Sequence, residues 1–210
     1  VKGLIGVATG SLGRYREFDM CLTRIEMPLD TGITYRDGSA VDNYNNMVRM
    51  VLLHGYDWLW ILGDDHVFHF DLLMNLLERD VDVVVPFCLG RKAPYDPIIH
   101  TASLERVGFE FLRGKKGLLE LDGHLLGNAG MLIKRHVLEK MDEPWFENGK
   151  TAPDKTGCDL WFCKKLYDLD IKLHLDLDNT IGHVTHMAVW PKMNSDGSYR
   201  PSVTEARIHA

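Results

Sequence analysis

Two short runs, "WLWILG" over residues 58–63 and "VDVVVPF" over 81–87, are apolar at nearly every position. A strand with one wet face alternates apolar and polar residues, so a strand apolar throughout has to be covered on both faces. Between the two runs lies "FDLLMNLLERD", apolar at helical spacing, with Asp71 placed to cap it. Upstream, "LIGVATG" reads as another buried strand closing on glycine. "VDNYNNMVRMVLLHGYD" then sets Val41, Met47, Val48, Val51 and Leu52 at helical spacing, with Gly55 as a stop. Strand and helix in alternation predict an α/β fold with a mainly parallel sheet and helical crossovers. In such sheets ligands sit beyond the carboxyl ends of the strands.

The middle of the chain changes character. "LGRKAPYDPIIHTASLERVGFEFLRGKKGLLELDGHLLGNAGMLIK" is rich in glycine, proline and alternating residues, which predicts loops and short antiparallel strands. "RHVLEKM" and "CDLWFCKKLYDLD" follow as helices, the second turning Leu160, Phe162, Cys163 and Leu166 toward the core. "IKLHLDLD" alternates strictly, a strand with Ile171, Leu173, Leu175 and Leu177 on one side. Past "IGHVTHMAVWP" the chain is polar and is expected to order only on binding. The division expected is one domain over 1–190 and a tail over 191–210.

With 210 residues, 45% of them hydrophobic, the chain can build one large core. A formal net charge of −6 argues against nucleic acid as a main partner. No apolar run approaches the roughly 18 residues that span a bilayer. The opening "VKGLIGVATG" has the pattern of a strand rather than a signal peptide. A cytoplasmic location, free or peripheral to a membrane, is the expectation. Cys21, Cys88, Cys158 and Cys163 form no C-x-x-C pair, so neither a disulfide framework nor a structural zinc site is expected.

Chemistry concentrates in three places. "WLWILGDDHVF" ends a buried strand on Asp64, Asp65 and His66, two hard oxygen ligands and one nitrogen ligand suited to magnesium or manganese on a diphosphate. The same residues also suit an acidic turn before a helix. In "DKTGCDLWFCKK", Asp154 and Asp159 bracket a turn; Asp159 either complements the helix dipole or acts as a base near an attacking hydroxyl. "NTIGHVTH" carries His183 and His186 after a strand, as structural residues or as ligands.

Taken in order, "WLWILGDDHVF", "DVVVPFCLGRKAP", "LLGNAGMLIKRHVLEKM", "TGCDLWFCKKLYDLDIKLHLDLD" and "IGHV" resemble the nucleotide-sugar-dependent glycosyltransferases of the GT-A fold. The likeness is to the large family that contains many bacterial inverting enzymes, and it runs from about Ile5 to His186. That family carries D-x-D-M-x-F after the strand. Counting back from Phe68 makes Asp65 the second acid, its metal ligand, and leaves Gly63 where the first acid belongs, with Asp64 as a substitute. The family's acidic pair is here "CD", which matches Asp159, and its C-terminal metal-binding histidine falls on His183.

The resemblance implies a GT-A, Rossmann-like sheet with a nucleotide-binding half over about 1–92 and an acceptor-side half, partly antiparallel, over about 93–190. It implies a manganese- or magnesium-dependent transfer from a UDP- or GDP-linked sugar to a carbohydrate or glycolipid hydroxyl. Asp65 and His183 would hold the metal and Asp159 would serve as the base. Ala8, Thr9 and Gly10 would approach base and ribose, with Arg36, Asn45 and Asp64 nearby. Arg91 and Lys92 would meet diphosphate or donor sugar, or simply solvate a loop. Asn45 and Asn46 equally suit an exposed helix face. Gly127, Asn128, Ala129 and Gly130 form a small-residue turn for a sugar to approach, on the acceptor side with Asp154. Trp145, Trp161 and Trp190 are either stacking platforms or core. Two other readings compete: a sugar nucleotidyltransferase or hydrolase, faintly echoed in "GVATGSLGRYREF", and a non-catalytic nucleotide-sugar-binding domain.

Overall fold

A computed structural model describes residues 1–9, 15–149, 157–184 and 187–205. The first half comprises β1 (Gly3–Thr9), α1 (Arg16–Leu22), β2 (Thr31–Asp37), α2 (Ala40–His54), β3 (Trp58–Gly63), β4 (His66–Phe68), α3 (Leu72–Glu78) and β5 (Val83–Phe87). Then come β6 (Ile99–Thr101), β7 (Leu118–Leu121), β8 (His124–Leu126), β9 (Met131–Lys134) and α4 (Arg135–Glu139). The last elements are α5 (Cys158–Asp168), β10 (Leu173–Val184), β11 (Met187–Met193) and β12 (Tyr199–Glu205).

The main sheet runs β12-β11-β10-β5-β9-β3-β1-β2, with β4 and β7 also pairing β10; β6 and β8 form a separate antiparallel pair. β1 is parallel to β2 and to β3, and β10 is parallel to β5. β9 lies antiparallel between β3 and β5. The result is a mixed, largely parallel α/β sheet flanked by helices. Period-two alternation explains the unbroken apolar strands. In β3, Leu59 and Ile61 face a core shared with α2, α4 and α5, while Trp58, Trp60 and Leu62 face a second core shared with α1 and α3.

Local chemistry sets the helix ends. Ser39 Oγ accepts from the Asp42 N–H at 3.1 Å, and Gly55 closes α2 in the left-handed region at φ 65°. Asp71 precedes α3 but makes no capping bond; its carboxylate instead lies 2.6 Å from His69 Nδ1.

One irregularity positions the site. Pro86 in β5 has no N–H to give its neighbour, and the β5–β10 register breaks there, between Asp176 and Thr180. Asp176, wholly buried, anchors the bulge: Arg79 donates to it through Nε at 2.8 Å and Nη2 at 3.0 Å, and Asn179 Nδ2 donates at 2.8 Å. Beyond the bulge β10 leaves β5 and pairs β4, setting His183 opposite His66.

The stretch expected to be a polar tail is folded as far as Glu205. β11 and β12 form a hairpin that extends the sheet, and Tyr199 packs edge-on against Phe87 at 4.7 Å between ring centroids. The signal was the Asp196-Gly197 turn: Gly197 takes φ 78°, and Asn194 N–H bonds Ser198 O at 2.8 Å. No helix among the described residues is long and apolar enough to cross a membrane.

Candidate functional site

The carboxyl ends of β3, β5 and β10 open on a cavity of about 330 Å³. Asp65, His66, Arg91, His183, Gly127, Asn128 and Asp159 line it, so the metal-type residues and the expected acceptor-side carboxylate share one space. Asp65 stands in the tight turn between β3 and β4, and its carbonyl accepts from the Val184 N–H at 2.6 Å. That bond ties the β3–β4 turn to the end of β10, and so the carboxylate to the imidazole beside it.

Ligand atoms of Asp65, His66 and His183 all lie within 4.8 Å of one another. Their hydrogen bonds divide them. His183 Nδ1 lies 2.6 Å from Leu89 O, an acceptor, so Nδ1 carries the proton and Nε2 keeps its lone pair. His66 Nδ1 instead accepts from the Gly63 N–H at 3.0 Å, which places its proton on Nε2. Burial pulls His66 down to about 3, aided by the neighbouring His183, and burial also lowers His183. Both rings are therefore neutral near pH 7, one presenting a lone pair and the other an N–H. The donor set fits a divalent cation, which Asp65 and His183 would hold. His66 fits as a donor beside them.

The glycine at 63 has a spatial cause. A Cβ there would lie 2.7 Å from Asp65 Oδ1 and 3.4 Å from His66 Cε1. The Asp65 carboxylate thus occupies the space that a side chain at 63 would need.

Across the cavity Asp159 opens α5. Its Oδ2 accepts from the Asn128 N–H at 2.8 Å and its Oδ1 from the Leu160 N–H at 2.9 Å. Each oxygen retains a lone pair, and Gly127 keeps the approach narrow but open: a Cβ there would sit 3.5 Å from Asp159 Oδ2. Asn128 Oδ1 accepts from the Met131 N–H at 3.2 Å, which fixes the turn onto β9. Ala129 and Gly130 are beneath this surface, Gly130 at φ 77° with its carbonyl bonded to Trp60 Nε1 at 2.9 Å.

The expected nucleotide residues separate into groups. Ala8, Thr9, Arg36 and Asp64 gather at the carboxyl ends of β1, β2 and β3, beside the cavity rather than in its lining. The Asp64 N–H bonds Ala8 O at 3.2 Å, and Thr9 Oγ1 donates to Arg36 O at 3.2 Å and bonds the Asp37 carboxylate. Arg36 itself turns back onto Met50 Sδ. Asn45 is buried and does not line the cavity; its amide nitrogen donates to Val41 O and Phe146 O at 2.9 and 2.8 Å, and its oxygen accepts from the Phe146 N–H. Gly10 and Asp154 lie outside the described residues, as does His186. Trp145, Trp161 and Trp190 do not line this cavity, and Trp145 is core.

Tyr44, Ile98 and Arg106 line the cavity without having been singled out in the sequence. Tyr44 had a legible signal, standing three residues after Val41 and four before Val48 on the apolar stripe of α2, one helical step from Asn45. Burial and then the Asp159 carboxylate push its hydroxyl up, so it stays protonated. Arg106 lies in an irregular connection with no local pattern to mark it.

No family model matches this chain, and no curated protein sequence does. Among solved structures, it is similar to A197 from STIV, with a TM-score of 0.58 and 18% identity over 100% of this chain and 99% of that one. It also aligns with TarS from S. aureus at a TM-score of 0.48 and 14% identity, over 85% of this chain and 35% of that one. The likeness to A197, at that identity, is one of fold.

Proposed function

We propose that this chain is a GT-A glycosyltransferase that moves a sugar from a nucleotide-diphosphate donor to an acceptor hydroxyl, with inversion. The observation that carries the reading is the shared cavity, in which a carboxylate–imidazole pair, Asp65 and His183, faces a separately held carboxylate, Asp159. Such a pairing suits a reaction in which charge develops on a leaving diphosphate at one side while a hydroxyl loses its proton at the other.

Asp65 and His183 would hold a manganese or magnesium ion, which when bound neutralises charge on the departing diphosphate. Leu89 O accepts from the His183 Nδ1–H, which leaves the ring's lone pair on Nε2. His66 adds a neutral N–H donor. Asp159, braced by two backbone N–H groups, keeps a lone pair to take the acceptor proton. The small residue at Gly127 leaves room for a sugar ring beside it. The nucleotide, UDP- or GDP-linked, would extend toward Thr9 and Asp64, and the acceptor is a carbohydrate or glycolipid.

The test is a panel of nucleotide sugars assayed with manganese for transfer and for slow hydrolysis. D65A is expected to lose turnover while still binding nucleotide, and D159N to keep manganese and nucleotide binding with transfer lowered at least a hundredfold. Turnover undiminished in D159N would remove Asp159 from its role. Nucleotide binding without turnover of any donor would leave a binding domain in place of an enzyme.

A further inference from the structure

Asp65 is held by its neighbours on both carboxylate oxygens. Its Oδ1 faces Gly63 and His66, and its Oδ2 accepts from Arg91 Nη1 at 2.5 Å. The carboxylate is 14% exposed and the guanidinium side chain 58% exposed, so the carboxylate is fixed and the arginine lies over it from solvent. Arg91 belongs to the connection that leaves β5 through Cys88 and Leu89. Leu89 O is the acceptor that orients His183. The same short segment therefore sets one metal-type residue and covers the other.

We propose that Arg91 is a placeholder cation: it holds Asp65 until a divalent ion takes the carboxylate, and the displaced guanidinium is then free to meet the diphosphate that accompanies the ion. The inference rests on the reading of Asp65 and His183 as a metal site. A guanidinium and a divalent cation compete for one carboxylate and repel each other, so a bound ion weakens the arginine's hold on Oδ2. Without the placeholder, a carboxylate this enclosed would stand unpaired. Once the ion is in place, the freed arginine supplies a planar fork suited to phosphate oxygens.

Arg106 provides the control. It lines the same cavity, carries the same charge and forms no ion pair among the described residues. Manganese titrations followed by electron paramagnetic resonance on the intact protein, R91M, R106M and D65N read the competition directly. The expected result is affinity for the ion raised about fivefold in R91M and less than twofold in R106M. No rise in R91M would overturn the proposal. An equal rise in R91M and R106M would overturn it too, because general charge repulsion would then suffice. Pyrophosphate added to the manganese-loaded protein should bind at least threefold more weakly in R91M, and equal binding would overturn the handover. D65N separates the two levels: it should lose the ion, and if it binds manganese like the parent, the metal site itself is misplaced.

Discussion

Replacing Gly63 with alanine adds a single methyl group beside the Asp65 carboxylate. The new Cβ would lie 2.7 Å from Asp65 Oδ1, about 0.7 Å inside the 3.4 Å at which ordinary contact begins. The carboxylate has to retreat by about that amount, more than the roughly 0.5 Å within which a working site holds its groups. Manganese affinity should fall about tenfold, in line with other disturbances of groups that orient a ligand. Fold stability should not fall with it. Gly63 is not among the residues with positive φ, so alanine adopts the backbone without strain and gains about 0.4–1 kcal/mol from a less flexible unfolded chain. G63A should thus melt within about 4 °C of the parent, or slightly above it. G63D, which adds a second carboxylate at that position, should lose manganese affinity as well. Titration calorimetry with manganese and a thermal melt read both halves. Unchanged affinity in G63A, or tighter binding in G63D, would refute the claim that Asp65 occupies the space at position 63.

Two further outcomes follow from the buried groups. In R79M, Asp176 stays wholly buried with only Asn179 and the Asp178 N–H as donors, so urea unfolding at pH 7 should show a loss of about 3 kcal/mol; a loss below about 1 kcal/mol would mean that the bulge does not depend on the pair. The folded chain leaves His66 unprotonated until about pH 3, whereas the unfolded chain binds that proton as pH falls through about 6.5. Its contribution is therefore present above pH 6.5 and lost as pH drops toward 3. Between pH 7 and pH 5 the parent should lose about 2 kcal/mol more than H66Q, compared by chemical denaturation, and equal losses would show that the ring is not held neutral.

Much of the site was legible one piece at a time. Asp65, His183 and Asp159 were each picked out by spacing or resemblance, and all three line the cavity. Asn45 was not readable in this way: on an exposed helix face it would have been available to a ligand, but Phe146, a hundred residues away in sequence, claims its amide. The burial of Tyr199 also depends on a distant partner, since its ring packs edge-on against Phe87. The edge strand β2 carried no clear pattern, because an edge buries too little for alternation to be marked.

The sequence alone determined the strands that need two covered faces, the helices between them, and the kinds of side chain at the strand ends. Periodicity is local, and hydrophobic burial acts on it residue by residue. Only the tertiary structure decided that β9 would run antiparallel through the middle of the sheet, and that the break at Pro86 would carry His183 across to Asp65. It also decided which ring nitrogen of each histidine bears the proton and that Arg91 covers Asp65. Those are long-range matters, set by which carbonyl, N–H or cation arrives from a distant segment, and no local pattern of residues encodes them.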